Sequence, residues 1–163
     1  SFIDFEALVA AYYTGRTLVL SGVSQRIANR VNRIITDGRT ENLTLDQIAR
    51  NISTQVVPIT RARAATIART ETHNAASYAN HTYYEKVQEN LGLSMVKQWV
   101  ATNDSRTRAA HSVANGQQRP MNEDFIVGGA AMGYAGDPKG GAKNVINCRC
   151  VIVYADEQDI VLD

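Results

Sequence analysis

Residues 60–92 read TRARAATIARTETHNAASYANHTYYEKVQENLG, a stretch whose first glycine or proline is its last residue, Gly92. Apolar residues recur in it at steps of three and four, the spacing that places side chains on one face of an α-helix. They are Ala64, Ile67, Ala68, Ala75, Tyr78, Ala79, Tyr83 and Val87. About 30 residues that rise 1.5 Å each predict a helix about 45 Å long, which Gly92 then ends.

Three shorter stretches before residue 60 have the same helical spacing. They are DFEALVAAYY (4–13), SGVSQRIANRVNRIITDG (21–38) and TLDQIARNIS (44–53). The second is expected to end at Asp37-Gly38, a common C-terminal signal. The third begins with a capping box of Thr44 and Gln47. The N-terminal two-thirds of the chain is therefore predicted to be helical.

After Gly92 the sequence changes to short elements of both kinds. Predicted strands are SMVKQWVA (94–101) and CRCVIVYA (148–155), and a short helix is predicted in NDSRTRAAHSVANG (103–116). Asn103 or Asp104 is expected to cap that helix. Residues 128–141 contain six glycines and one proline, a composition that predicts a long loop.

These patterns predict an α+β protein, with a helical N-terminal region that includes a long helix, followed by a small antiparallel sheet with a short helix. The predicted division is into residues 1–57, the N-terminal helical region, and residues 58–163, which begin with the long helix. The chain starts at Ser1 rather than at a methionine, so we expect a fragment or a processed product.

Composition excludes several classes of protein. The formal net charge of +1 provides no overall attraction to nucleic acid or to an anionic membrane. No apolar run approaches the roughly 20 residues of a membrane span. The chain has two cysteines, which are too few for a disulfide scaffold and favour a reducing compartment.

The long helix contains three titratable residues whose roles need interpretation: Glu71, His73 and His81. Glu71 fills the one gap in the apolar stripe, where a buried carboxylate must find a partner or shift its pKa. It is interpreted either as a catalytic base or as half of a structural ion pair with Arg106 or Arg108. The ion pair is favoured because no obvious nucleophile lies beside it. His73 and His81 are predicted to be surface or boundary residues.

The two cysteines, Cys148 and Cys150, are separated by a single arginine. Residues two apart on a strand share a face, and a disulfide between such residues is hard to form, so both thiols are expected to be reduced. Together with His111 they would supply three zinc ligands, and Asp104 could supply a fourth. The alternative is that both cysteines are small buried core residues. The spacing is shorter than in most structural zinc sites, so both interpretations stay open.

Three motifs occur in a fixed order: IARTETHNAA (67–76), KQWVATNDSRTRAAHSVANGQ (97–117) and INCRCVIVY (146–154). Their order resembles the phage Mu F-like minor head protein family, also described as a phage head-morphogenesis domain. The resemblance covers about residues 64–154. Many relatives have His-Pro before the Asn-Cys-Arg-Cys motif, whereas this chain has Val145-Ile146. A metal site that used that histidine would lack one ligand here.

The resemblance implies a minor, capsid-associated head protein of a tailed phage or prophage. Such a protein would act in head assembly and in DNA packaging or ejection by binding the portal protein. Implied partners are the portal and capsid components, with packaged DNA as a further candidate and no membrane. Multiple copies per head are expected in a virion that is assembled in the host cytoplasm. Residues 58–163 would form the head-morphogenesis core, and no catalytic residues are implied.

On this interpretation the motifs form one stabilising polar cluster, in which Asp104 caps a helix, an arginine binds Glu71 and His111 approaches the thiols. Its predicted members are Glu71, Asp104, Arg106, Arg108, His111 and Asn147.

Three questions stay open from the sequence. An alternative function is a hydrolase that uses a bound metal to cleave nucleic acid or cell wall. Another is a DNA-binding module that uses local arginines, namely Arg61, Arg63 and Arg69. The segment SFIDFEALVAAYY (1–13) is either a docking element for a partner or a helix that packs on the chain's own helices.

Overall fold

A computed structural model describes residues 4–14, 24–56 and 59–159 of the chain. The helices are α1 Phe5–Thr14, α2 Gln25–Thr40, α3 Leu45–Gln55, α4 Arg61–Leu91, α5 Ala109–Ala114 and α6 Gly141–Val145. The strands are β1 Met95–Val100, β2 Gln118–Pro120, β3 Phe125–Val127, β4 Ala130–Met132 and β5 Val151–Asp156. Helices precede a small antiparallel sheet with a short helix, so the α+β class predicted from the sequence is confirmed.

The long helix α4 begins and ends where its local signals lie. The Thr60 side chain accepts a hydrogen bond from the backbone N–H of Arg63, which caps the N-terminus. Gly92 follows the last turn in a left-handed conformation, with φ of 62°. Between these residues the helix continues for 31 residues without interruption. No helix in the described ranges is long and apolar enough to cross a membrane.

One hydrophobic core is shared by α1, α2, α3 and the first two-thirds of α4. Its largest buried side chains include Val31, Ile35, Ile48, Ile52 and Ile67. Val56 and Ile59 belong to the same core, so the packing continues across the predicted division at residue 57.

Gly38 lies within α2 and does not end it, contrary to the prediction from Asp37-Gly38. A Cβ atom at Gly38 would lie only 2.6 Å from Cγ1 of Ile48 in α3. The glycine is therefore needed where the two helices approach closely, and α2 continues to Thr40.

Three side chains of α1, those of Leu8, Val9 and Tyr12, pack on the chain itself. Val9 and Tyr12 are both buried in the helical core, and the Tyr12 ring lies 5.5 Å from the Tyr78 ring of α4, measured between centroids. This favours the internal-packing interpretation of residues 1–13. The side chains of Phe2, Phe5 and Tyr13 lie outside the described part.

The C-terminal part has its own core and a three-stranded antiparallel sheet in the order β2-β1-β5. Strand β1 pairs with β5 along its whole length, from Met95 opposite Asp156 to Val100 opposite Val151. Trp99 of β1 is fully buried at the centre of this core. Its other apolar members include Phe125, Val127, Met132, Val145 and Ile152.

The glycine-rich region is more ordered than the sequence predicted. Strand β4 lies inside residues 128–141 and pairs with β3 as a hairpin. Gly128 and Gly129 connect the two strands with φ values of 57° and 78°, which suit a tight two-residue turn. A 3₁₀ turn follows at Pro138–Gly140. Glycine therefore marks a hairpin here and not a long loop.

Candidate functional site at the two cysteines

The chain between α6 and β5, residues 146–150, is here called the cysteine segment. It precedes β5, so Cys148 and Cys150 do not lie on the regular strand that the sequence predicted. Asn147 adopts a left-handed conformation with φ of 57°, which asparagine tolerates better than most residues. The segment then turns both cysteine side chains into the C-terminal core, where they are 3% and 2% exposed. The side chain of Arg149, between them, is directed outward and is 30% exposed.

Helix α4 binds the cysteine segment from one side. The backbone N–H of Asn147 donates to Oγ1 of Thr70 at 3.0 Å, and Arg69 donates to Oδ1 of Asn147 at 3.2 Å. Nε2 of His73 lies 2.7 Å from the carbonyl oxygen of Cys150. Arg69, Thr70 and His73 of the IARTETHNAA motif thus anchor the INCRCVIVY motif.

The two histidines of α4 are both engaged, which the sequence interpretation missed. His73 contacts the cysteine segment, and Nδ1 of His81 lies 3.2 Å from the Tyr154 hydroxyl of β5. Burial, with a smaller effect of Lys97, lowers the pKa of His81 to about 4. Thr70, His73 and His81 lie at steps of three and eight residues. These steps keep the three side chains within about 80° of one another around the helix, and this spacing was the available signal for a second face of α4 in contact with the C-terminal part.

The loop at residues 102–108, here called the arginine loop, binds the cysteine segment from the other side. The guanidinium of Arg149 donates two hydrogen bonds of 2.6 Å to the two carboxylate oxygens of Asp104, a bidentate geometry. The hydroxyl of Thr102 donates to the Arg149 carbonyl at 2.9 Å. Arg108 donates to the carbonyl of Ile146.

Asp104 therefore has a different role from the predicted helix cap. Helix α5 begins after Arg108, without a side-chain cap. The Asp104 carboxylate instead accepts the backbone N–H of Arg106 at 2.9 Å and binds Arg149. The hydrogen bond from Arg149, followed by that from the Arg106 backbone, holds the pKa of Asp104 well below its usual range. Arg149 was not among the predicted cluster residues.

His111 of α5 lies against both thiols. Its Nδ1 is 3.6 Å from Sγ of Cys148 and 3.4 Å from Sγ of Cys150. All three side chains are buried, and both cysteines are free of disulfides. A hydrogen bond from the Cys148 thiol, helped by His111, lowers the pKa of Cys150 although burial opposes this. The same bond, together with burial, raises the pKa of Cys148. The two thiols therefore shift in opposite directions, and Cys150 is the one that loses its proton more readily.

Glu71 is buried, at 1% exposure, but the structure does not bring it to either predicted arginine. Arg106 is bound to Asp104 and its side chain is 78% exposed, whereas Arg108 binds the cysteine segment. Glu71 accepts a hydrogen bond from the Tyr12 hydroxyl at 3.3 Å, on the face of α4 that belongs to the helical core. Arg106 and Arg108 do not pair with Glu71, because their contacts lie on the side of α4 that faces away from the helical core.

Thr70→Val should test the link between α4 and the cysteine segment. The change keeps the side-chain shape but removes the acceptor of the Asn147 N–H from a part-buried hydrogen bond, which costs about 0.5–1.5 kcal/mol of unfolding free energy. Urea denaturation measures the loss. Thr66→Val is the matched control, because the Thr66 hydroxyl bonds only within α4, to the Ala62 carbonyl. Equal losses in the two variants would contradict the assigned role of Thr70.

The architecture thus defines a class: an α+β protein in which a long helix and an arginine loop enclose a buried Cys-x-Cys pair. The profile of the family described as Phage Mu protein F like protein matches residues 25–153. The chain belongs to this family. The match includes α2 and α3 as well as α4 and the C-terminal part.

Two relatives are similar over most of this chain. One is the NAD(+)--arginine ADP-ribosyltransferase EFV of Enterococcus faecalis (strain ATCC 700802 / V583), 34% identical over 127 residues, which are 77% of this chain and 25% of that protein. The other is the minor head protein GP7 of Bacillus phage SPP1, 29% identical over 144 residues, which are 87% of this chain and 45% of that protein. The chain therefore spans a quarter to just under half of these relatives. No solved structure matches it significantly.

Proposed function

We propose that this chain is a minor head protein of a tailed phage or prophage, which acts in head assembly and in DNA packaging or ejection by binding the portal protein and capsid components. The observation that carries the proposal is the family match over residues 25–153, supported by the similarity to the SPP1 minor head protein over 87% of the chain. The protein would be located in the virion head, in several copies, after assembly in the host cytoplasm.

The contacts of the motif residues support a structural role. Asp104 is bound by Arg149, His73 by the Cys150 carbonyl and Glu71 by Tyr12. A general base must be able to reach a substrate proton, and these groups are instead used to hold the fold together. We therefore propose that the chain has no turnover of its own.

DNA binding through the three arginines of α4 has less support. Arg61 forms an ion pair of 2.8 Å with Asp46, and Arg69 donates to Asn147. Both guanidinium groups already have partners within the chain, whereas a phosphate-binding patch requires arginines that are available to neutralise phosphates.

A metal-assisted hydrolase remains the second candidate, because His111, Cys148 and Cys150 place three potential metal ligands within 4.8 Å of one another. The larger constellation that this function would use does not assemble, since Glu71 faces the helical core and Asp104 is engaged by arginines.

Co-expression of the chain with the portal and major capsid proteins of the same phage tests the proposal. We expect the chain to co-sediment with portal-containing heads and to be lost from heads assembled without the portal, which serve as the control. Incorporation that is independent of the portal would contradict portal binding. Cleavage of DNA or peptidoglycan by the purified chain with added metal, abolished by His111→Ala, would instead support the hydrolase.

A further inference from the structure

Three buried potential ligand atoms, from His111, Cys148 and Cys150, lie within 4.8 Å of one another. In tetrahedral zinc sites the Zn–S distance is about 2.3 Å and the Zn–N distance about 2.0–2.1 Å, so a nitrogen and a sulfur ligand lie about 3.5–3.6 Å apart. Nδ1 of His111 lies 3.6 Å from one sulfur and 3.4 Å from the other. We propose that His111, Cys148 and Cys150 bind one zinc ion, with a solvent-derived or anionic oxygen ligand in the fourth position.

The surrounding fold holds the ligands in place in addition to their contacts with one another. The Arg149 carbonyl is bound by Thr102, and the Cys150 carbonyl by His73. Together with the Asn147 turn, these contacts direct both sulfurs to the same side although one residue separates the cysteines. A site built on residues with fixed rotamers and backbone is preorganised for its metal.

The donor set selects the class of metal. Two thiolates and one imidazole suit a soft or borderline cation, and zinc accepts that combination in tetrahedral geometry. Calcium and magnesium prefer oxygen ligands, and no carboxylate joins this group in the described part of the chain. Asp104, the fourth ligand considered from the sequence, is occupied by Arg149 and does not complete the site.

A small cavity adjoins the three ligands and supplies the fourth position. Its volume is about 10 Å³, close to the space that one water molecule requires. Its lining includes Arg106, Arg108 and Arg149 together with the three ligands. A zinc ion bound by two thiolates has no net charge. The nearby guanidinium groups are positively charged, and they therefore favour a hydroxide or another anionic oxygen at the fourth position.

Bound zinc would join two parts of the chain that are distant in sequence. Cys148 and His111 are 37 residues apart, and the metal would clamp α5 to the segment that leads into β5. Because the unfolded chain lacks the preformed site, binding stabilises the folded state. The expected consequence is a melting temperature that falls when zinc is removed and recovers when zinc chloride is added.

The test is metal analysis of the full chain, expressed with zinc supplementation and purified without chelator. We expect about one zinc per chain, which chelation removes with a drop in melting temperature. His111→Asn, Cys148→Ser and Cys150→Ser should each lose the metal. His81→Asn is the matched control, because His81 is also a buried histidine but contacts Tyr154 and not the thiols, and this variant should retain zinc.

A second measurement keeps the proposal testable if the ligand variants fail to fold. Cobalt(II) added to the metal-free, unaltered chain should produce a near-ultraviolet thiolate-to-cobalt band and a tetrahedral visible spectrum. If the metal-free protein shows neither band after cobalt(II) is added, the proposal is overturned. Zinc retained by the His111→Asn variant would overturn it as well. A chain that contains no zinc as purified, yet associates with portal-containing heads, would overturn only this proposal and leave the proposed function standing.

Discussion

Gly136→Ala is expected to destabilise the protein by about 2–5 kcal/mol, the largest loss that we expect from adding a single methyl group. Gly136 has φ of +86°, and a Cβ atom there would lie 2.2 Å from Oδ1 and 3.3 Å from Cα of Asn74. The left-handed backbone costs an L-residue about 1–2 kcal/mol, and overpacking adds about 1–3 kcal/mol. The Cα of Asn74 belongs to α4, so the helix cannot move aside easily.

Gly129→Ala provides a matched control for this loss. Its φ is +78° and no atom lies within 4 Å of the added Cβ, so only the backbone cost of about 1–2 kcal/mol applies. Denaturant unfolding of both variants separates conformational strain from the clash with α4. Equal losses would contradict the close approach of the glycine-rich region to Asn74.

Glu71→Ala is expected to cost about 2–4 kcal/mol of unfolding free energy. The carboxylate is 1% exposed, so truncation leaves a cavity within the helical core and removes the acceptor of the Tyr12 hydroxyl. Glu71→Gln preserves volume and an acceptor oxygen, and its smaller loss would measure the contribution of the negative charge.

Glu89→Ala is the control for Glu71, because Glu89 is an exposed glutamate of the same helix. A surface substitution of this kind changes the free energy of unfolding by no more than about 0.5 kcal/mol. Thermal or urea unfolding of the three variants measures the differences. A Glu71→Ala protein as stable as the Glu89→Ala protein would contradict the placement of Glu71 in the core.

The sequence predicted α4 almost to the residue because its boundaries depend on local chemistry. Thr60 caps the helix with its own side chain and Gly92 supplies the left-handed stop, and neither requires knowledge of the tertiary structure. The apolar stripe likewise placed Ala64, Ile67 and Ala75 in the core, where they are buried.

Features that depend on how elements meet could not be predicted in this way. Gly38 was interpreted as a helix end because glycine commonly has that role, but its actual role depends on Ile48 of a different helix. The bidentate contact between Arg149 and Asp104 joins residues 45 positions apart. The residue spacing within the motifs that contain Asp104 and Arg149 did not indicate this contact.

The second buried face of α4 was missed because it is polar. Hydrophobic periodicity detects Ile67 and Ala75, but it does not detect Thr70, His73 and Asn74, whose partners are backbone groups and a glycine of the C-terminal part. Thr70 and His73 are satisfied by specific partners in the cysteine segment. The IARTETHNAA motif therefore does two tasks at once, since one face packs the helical core and the other anchors the cysteine segment.

Portal-dependent association with the phage head is the central claim, and quantitative mass spectrometry of purified procapsids and mature heads from the phage or prophage that encodes this chain tests it most directly. We expect the chain to be present in both particles at a fixed ratio to the portal protein, and absent from heads of a portal deletion. Complete absence of the chain from purified heads, while it is abundant in the same lysate, would contradict the account.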